Sequence, residues 1–167
     1  MNITRAYRGW RINLVTRNHR IYGFRPDGLT APARCHPAQR QDNVLHKHHR
    51  SPHTDCECGW RLITNSQRFP EYFDGIARHW WRDRVAIQVE TVGPTLPGVD
   101  SRQGPDPHDT IRARQLRWIP GSKIVIPGRL AALTEPLAAN YPGRVVVLPS
   151  RDWSAFTDVV SETEVCP

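Results

Sequence analysis

The feature that most constrains this chain is a polar, proline-broken segment that also holds most of its cysteine and histidine. Residues 29–60 contain few apolar side chains, chiefly Val44 and Leu45, and three prolines interrupt regular structure there. Such a segment buries too little apolar surface to offset the conformational entropy it loses on ordering. We therefore expect it to be ordered by something other than a hydrophobic core.

Three cysteines and a histidine in this segment have the spacing of a metal site. Cys56 and Cys58 are separated by one residue, and Gly59 gives the backbone freedom for a tight turn that aims both sulfurs at one ion. His53 precedes Cys56 by three residues, and Cys35 closes the site from further upstream. Zinc prefers four sulfur and nitrogen ligands in a tetrahedron. The pattern predicts a zinc site formed by Cys35, His53, Cys56 and Cys58.

The sequence alone does not decide which histidine completes the site. His53 is the first choice because it lies nearest to the cysteine pair. Four other histidines of the segment offer the same ligand, namely His36, His46, His48 and His49. Three cysteines and one histidine fill a tetrahedron, which favours a structural role over a catalytic one. The fourth cysteine, Cys166, lies next to the last residue and is expected to be an exposed bystander.

The rest of the chain predicts a mixed fold. Residues 3–25 alternate apolar with polar side chains as strands do, with a hairpin turn at residues 18–19. Residues 85–92 form the clearest strand, and residues 111–119 are predicted to pair with it antiparallel. The Pro- and Gly-rich residues 93–108 between them are expected to be a loop.

Two helical patterns complete this outline. Residues 66–82 and 128–141 carry apolar side chains at spacings of three and four, and Pro136 is expected to interrupt the second helix. Residues 124–126 and 145–148 are predicted to be short strands.

Together these elements indicate an α+β fold: a small antiparallel sheet with one or two helices and a metal-held loop. We assign a single domain to residues 1–150, with the zinc loop inserted at about residues 29–60. Residues 151–167 are expected to form a C-terminal tail, in which Trp153 and Phe156 are able to dock onto the domain.

Charge and composition suggest a partner and a location. The 167-residue chain has a formal net charge of +7, and ten of its 23 basic residues lie in the first 60, against four of its 16 acids. A basic surface attracts nucleic acid or an acidic host protein, and Arg8, Arg11, Arg112 and Arg114 are the candidate nucleic-acid contacts. The alternative for these arginines is a solvated strand face. No apolar stretch matches a membrane helix or a secretion signal, which favours a cytoplasmic protein with reduced thiols.

Two resemblances bear on function. The histidine-rich run at residues 46–49 is similar to the histidine-rich strand of HNH nucleases, in which a histidine activates water beside a divalent ion. An HNH domain also needs a later Asn and His on a helix, and here the next histidine after His53 is His79, whose spacing does not match. A nuclease would also need a carboxylate near an open ligand position, and Asp42, Asp55 and Glu57 are the nearby candidates.

Over most of its length the chain also resembles a group of small, uncharacterised proteins from actinobacteria and their phages. The resemblance runs from Tyr7-Arg8-Gly9-Trp10-Arg11 through Cys35, His53 and Cys56-x-Cys58-Gly59, and it continues more weakly into residues 85–92 and 130–147. It implies the Cys/His metal site and an actinobacterial or phage source, hence a location in the host cytoplasm, and it implies no particular activity.

The sequence thus favours a zinc-stabilised, phage-encoded binding protein that contacts nucleic acid or a host protein and catalyses no reaction. Two alternatives stay open. One is a metal-dependent enzyme acting on nucleic acid, and the other is a virion or host-interaction component without nucleic-acid contact.

Overall fold

The computed structural model describes residues 5–35, 49–54, 56–70, 84–101 and 104–164. In chain order the strands and helices are β1 (Arg8–Leu14), β2 (Trp60–Ile63), β3 (Arg84–Pro97), β4 (Asp100–Ser101), β5 (Gly104–Pro105), β6 (Thr110–Trp118), β7 (Ile124–Ile126), α1 (Thr134–Asn140), β8 (Val145–Val147) and α2 (Phe156–Glu164). Short 3₁₀ turns occupy Ser66–Arg68 and Gly128–Leu133. No helix within these ranges is both long enough and apolar enough to cross a membrane.

A six-stranded sheet in the order β1-β2-β6-β3-β7-β8 forms the centre of the fold. Strand β1 also pairs with β3, so β1, β2, β6 and β3 close into a ring. All the pairings of this sheet are antiparallel except β7 with β8, which the residues between them connect as a parallel crossover. The α+β prediction is confirmed, with a sheet that is mostly rather than wholly antiparallel.

The predicted pairing of residues 85–92 with 111–119 is present as β3 and β6, in a register that places Glu90 opposite Arg117. Strand β3 continues beyond the predicted end to Pro97, after a register shift between Val92 and Thr95. Pro94 falls within this irregularity, where a missing N–H costs no ladder hydrogen bond. Part of the predicted loop 93–108 is therefore strand.

Residues 5–25 follow the predicted hairpin pattern. Strand β1 is followed by an antiparallel bridge between Val15 and Ile21, and the turn between them holds His19 at a φ of 55°. The predicted turn at residues 18–19 is confirmed.

The helical predictions have mixed outcomes. Most of the predicted helix 66–82 lies outside the described residues. The second helical pattern does divide into two pieces, but the irregular backbone is at Leu130 (φ −102°, ψ 15°), while Pro136 lies in the first turn of α1. Proline is tolerated there because the first-turn N–H groups have no helical acceptor.

Helix α2 and the residues before it pack onto one face of the sheet. Trp153, Phe156 and Val160 are buried with Trp10 and a group of aliphatic side chains. The rings of Phe69 and Phe156 stack with centroids 4.2 Å apart. The residues predicted to be a tail after 150 therefore supply buried side chains to this core, and the proposed boundary at residue 150 stays a prediction.

Candidate metal centre

A tight turn at the start of β2 carries two of the predicted ligands. Its first hydrogen bond runs from the N–H of Cys56 to the carbonyl of His53, at 3.3 Å. Gly59 ends the turn with a φ of 129°, and a Cβ there would lie 3.1 Å from Cβ of Arg112. Only glycine combines this backbone conformation with so close a neighbour. Cys58 is completely buried and Cys56 nearly so.

Cys35 reaches the same place along β6. The N–H of Thr30 donates to the carbonyl of Leu116 at 2.9 Å, and that of Ala33 donates to the carbonyl of Arg114 at 2.7 Å. These bonds place the residues before Cys35 along the same edge of β6 with which β2 pairs. Two segments distant in sequence thus converge beside one strand.

Four side chains meet at this point: Cys35, His49, Cys56 and Cys58. Their ligand atoms all lie within 4.8 Å of one another. The sulfurs of Cys35 and Cys56 are 3.4 Å apart, and Nε2 of His49 is 3.3 Å from the sulfur of Cys58. A tetrahedral zinc site has sulfur pairs about 3.8 Å apart and sulfur–nitrogen pairs about 3.6 Å apart, while a disulfide needs about 2.05 Å. The cluster could therefore hold a metal ion.

The histidine in this cluster is His49, whereas His53 was the first choice from the sequence. His53 lies beside the cluster, with its ring 4.5 Å from that of His49 at an angle of 35°. The backbone carbonyl of His53 takes part in the cysteine turn. The sequence favours His53 because it lies closer to Cys56. The path of the chain, which the spacing does not show, brings His49 to Cys58 instead. His36, His46 and His48 lie outside the described residues.

Arg112 was predicted to contact nucleic acid, and its position does not fit that role. It is 2% exposed, and its guanidinium donates to the backbone carbonyls of Pro97, His53, Cys56 and Cys58. The side chain is used inside the protein, where it holds the cysteine turn against β6. The prediction failed because alternation along a strand does not show which face is buried.

The other predicted contacts lie nearer the surface. Arg8 is exposed and forms an ion pair with Glu90 at 3.5 Å, and Arg114 is half-buried. Arg11 is half-buried; its Nη1 donates to the carbonyl of Arg61 at 2.6 Å.

Arg61 is a second support of the cysteine turn, and no sequence pattern singled it out. Its Nε donates to both carboxylate oxygens of Asp106, at 3.1 and 2.9 Å, and its Nη2 donates to the carbonyl of Glu57 at 2.9 Å. Arg61 pairs with Arg112 across β2 and β6. Between them the two arginines bind the carbonyls of residues 53, 56, 57 and 58.

Burial raises the pKa of both cysteine thiols in the turn. For Cys56 it is opposed by a hydrogen bond from the backbone of Cys58, and for Cys58 by hydrogen bonds from Ser51 and from the backbone of His53. Desolvation is the larger effect at each thiol. Without a metal the two thiols are therefore protonated at neutral pH, and a metal ion would have to displace those protons.

Metal affinity is consequently expected to fall steeply as the pH is lowered. Each thiol must lose a proton before its sulfur binds, so two displaced protons weaken the apparent affinity at least about a hundredfold per unit of pH below the thiol pKa. Competition with a calibrated chelator between pH 6.5 and 8 measures this slope. An affinity that does not change with pH would mean that these thiols are not the ligands.

A hydrolytic site would need a carboxylate, and none belongs to the cluster among the residues that the structure describes. Asp106, the nearby acid, is bound by Arg61. Asp42 and Asp55 fall outside the described ranges, and the backbone carbonyl of Glu57 accepts a hydrogen bond from Arg61. The described geometry is that of four protein ligands around one position.

No protein family, no curated protein and no solved structure matches this chain.

Proposed function

We propose that this chain is a zinc-stabilised, non-catalytic binding protein that contacts nucleic acid. The observation that carries the proposal is the convergence of Cys35, His49, Cys56 and Cys58 within 4.8 Å. Three sulfurs and one imidazole nitrogen are the donors that structural zinc sites use, and oxygen-preferring ions such as Mg²⁺ and Ca²⁺ do not favour them.

A closed, structural site fits the surroundings of the cluster. Four protein ligands leave no position for water or substrate. Hydrogen bonds from Arg112 and Arg61 to the backbone carbonyls of the turn fix its conformation. The cysteine ligands on that turn are therefore held in position before a metal binds. Three thiolates around a divalent ion carry a net charge of −1, and the buried guanidinium of Arg112 balances it.

The choice of nucleic acid as partner rests on charge. The net charge of +7 and the exposed arginines favour a polyanion over a neutral surface. A host protein is the rival partner, and a virion component is the rival role. The phage source is likewise proposed, on the resemblance of residues 7–11 and the Cys/His motif.

Substitution of the two neighbouring histidines tests the assignment of the fourth ligand. His49→Ala is expected to weaken zinc affinity by at least a hundredfold, because it removes one of four ligands, whereas His53→Ala should leave the affinity within a few-fold. His49→Cys, which restores a ligand atom, should recover part of the loss. The reverse ranking of the alanine variants would assign the ligand to His53.

The function itself is tested by metal content and by nucleic-acid binding of the purified, untagged protein. We expect one zinc per chain by elemental mass spectrometry. We also expect labelled oligonucleotides to bind with an affinity that falls at least tenfold between 50 and 200 mM salt, as counterion release requires. If the protein contained zinc but bound no oligonucleotide, the metal site would stand and the partner would instead be a protein. A chain without metal would contradict the proposal at its base.

A further inference from the structure

We propose that a groove at the far end of β6 holds one nucleotide unit, with its phosphate on a rim of arginines and its base on an aromatic floor. This inference rests on the proposed function, since it assigns the nucleic-acid contact to a place. The groove, here called the β6 groove, has a volume of about 460 Å³ and lies between residues 20–28, the end of β6 and Tyr141. That volume is typical of small-molecule sites.

The rim of the β6 groove is cationic. Arg20, Arg25 and Arg117 line it and are exposed. Among the described residues Asp27 is the one carboxylate on its lining, and it pairs with Arg25 at 3.0 Å. Arg117 pairs with Glu90 at 3.1 Å, yet its side chain is still 48% exposed. A guanidinium in such an exposed pair stays available, because an exposed ion pair contributes little and a phosphate accepts two of its N–H donors at once.

The floor is aromatic and already fixed. Trp118 contacts Tyr141 edge-on, with ring centroids 5.1 Å apart, and Phe24 at 6.0 Å. The guanidinium of Arg144 lies 4.4 Å from the centre of the Trp118 ring, and its Nε donates to the carbonyl of Ser122 at 2.9 Å. A floor held in this way loses little conformational entropy when a ligand binds.

The polar atoms of these rings already have partners inside the protein. Nε1 of Trp118 donates to the hydroxyl of Ser122 at 2.9 Å, and the hydroxyl of Tyr141 accepts from the N–H of Ile21 at 3.0 Å. The floor therefore offers aromatic carbon, and the rim offers positive charge. A ligand that uses both carries an anion next to a flat ring, which is the chemistry of a nucleotide, free or within a single strand.

The β6 groove and the metal cluster are separate but joined through the chain. Arg112 and Arg117 are five residues apart on β6, about 17 Å along a strand. Residues 24–28 line the groove, and the segment that continues from them ends at Cys35 in the cluster. A metal that fixes Cys35 would thus anchor one wall of the groove.

The test compares two doubly substituted proteins of equal charge. Arg20→Gln with Arg25→Gln removes two rim arginines, and Arg5→Gln with Arg151→Gln removes two exposed arginines that do not line the groove. Anisotropy of a labelled 12-nucleotide single strand of thymidylate at 100 mM salt gives the affinity of each. We expect the rim variant to bind at least tenfold more weakly than the wild type, and the control to bind within threefold of it. Equal losses in both variants would overturn the groove as the site.

A second set of measurements tests the aromatic floor and the source of the ligand. Phe24→Leu keeps an apolar side chain but removes a ring, and we expect at least a fivefold weaker affinity at an unchanged thermal midpoint. Thymidine monophosphate should displace the strand at concentrations where inorganic phosphate does not. If thymidine monophosphate bound more tightly than the strand does per nucleotide, the ligand would be a free nucleotide. Equal competition by inorganic phosphate would mean that the groove binds anions in general, which would contradict the proposed contact between the base and the aromatic floor.

These outcomes separate the two proposals. A wild-type protein that binds neither the single strand nor the monophosphate would contradict the nucleic-acid function as well as the groove. A wild-type protein that binds the strand with salt-dependent affinity, but whose rim variant binds equally well, would leave the proposed function in place and contradict this inference alone.

Discussion

Cys58→Ser is expected to abolish stoichiometric zinc binding and to lower the free energy of unfolding by more than about 4 kcal/mol, a size reached when a structural metal is lost. Cys58 is completely buried and its sulfur lies 3.3 Å from Nε2 of His49. Serine is close to cysteine in shape, so packing changes little, but a neutral hydroxyl is a poor ligand for zinc. For a chain of this size the thermal midpoint should fall by roughly 8–16 °C.

The chelator response of the same variant separates loss of metal from loss of packing. A strong chelator should lower the thermal midpoint of the wild type to near that of Cys58→Ser, and should leave the variant unchanged. Cys166→Ser is the matched control, because the sequence predicts that Cys166 is a bystander; this variant should keep both its zinc and its midpoint. If Cys58→Ser retained one zinc per chain, the cluster would not be the metal site.

Local sequence patterns were sufficient for much of the sheet and for the pair of cysteines in the turn, Cys56 and Cys58. The strands β3 and β6 each carry a strong apolar pattern, and their pairing follows from proximity along the chain. Cys56 and Cys58 are confined to one turn by their spacing and by Gly59, so sequence distance alone brings them together. These features depend on neighbours in the chain, and for that reason a single sequence contains them.

The features that escaped the sequence depend on long-range packing. The closure of β1 onto both β2 and β3 joins strands that are distant in the chain, which no single strand pattern reveals. The burial of Arg112 follows from the turn at residues 53–58 covering β6, although the two are more than fifty residues apart. Arginines on strands are exposed on average. Arg112 is buried instead because backbone carbonyls are there to accept the hydrogen bonds of its guanidinium.

Arg112→Met is expected to be nearly as damaging as loss of a ligand, at about 3–5 kcal/mol of unfolding free energy, although Arg112 binds no metal. Methionine fills much of the volume but donates no hydrogen bond. The carbonyls of His53, Cys56 and Cys58 would lose their shared donor in a buried place, and the negative zinc site would lose its neighbouring cation. We expect a thermal midpoint lower by roughly 6–20 °C and a zinc affinity at least tenfold weaker.

Two further variants show how much of this effect depends on the guanidinium itself. Arg112→Lys keeps the charge, and its ammonium has donors for the three carbonyls that converge on Nη1 of Arg112, but it cannot also donate to the carbonyl of Pro97 as Nε does. We therefore expect lysine to recover only part of the stability. Arg114→Met removes a half-buried arginine from the same strand and should change the midpoint by only a few degrees. A full recovery by lysine would mean that the charge and the donors at the Nη1 position suffice without the contact to Pro97. A wild-type midpoint in Arg112→Met would mean that the cysteine turn holds its shape without this clamp, and that the metal ligands alone order the segment.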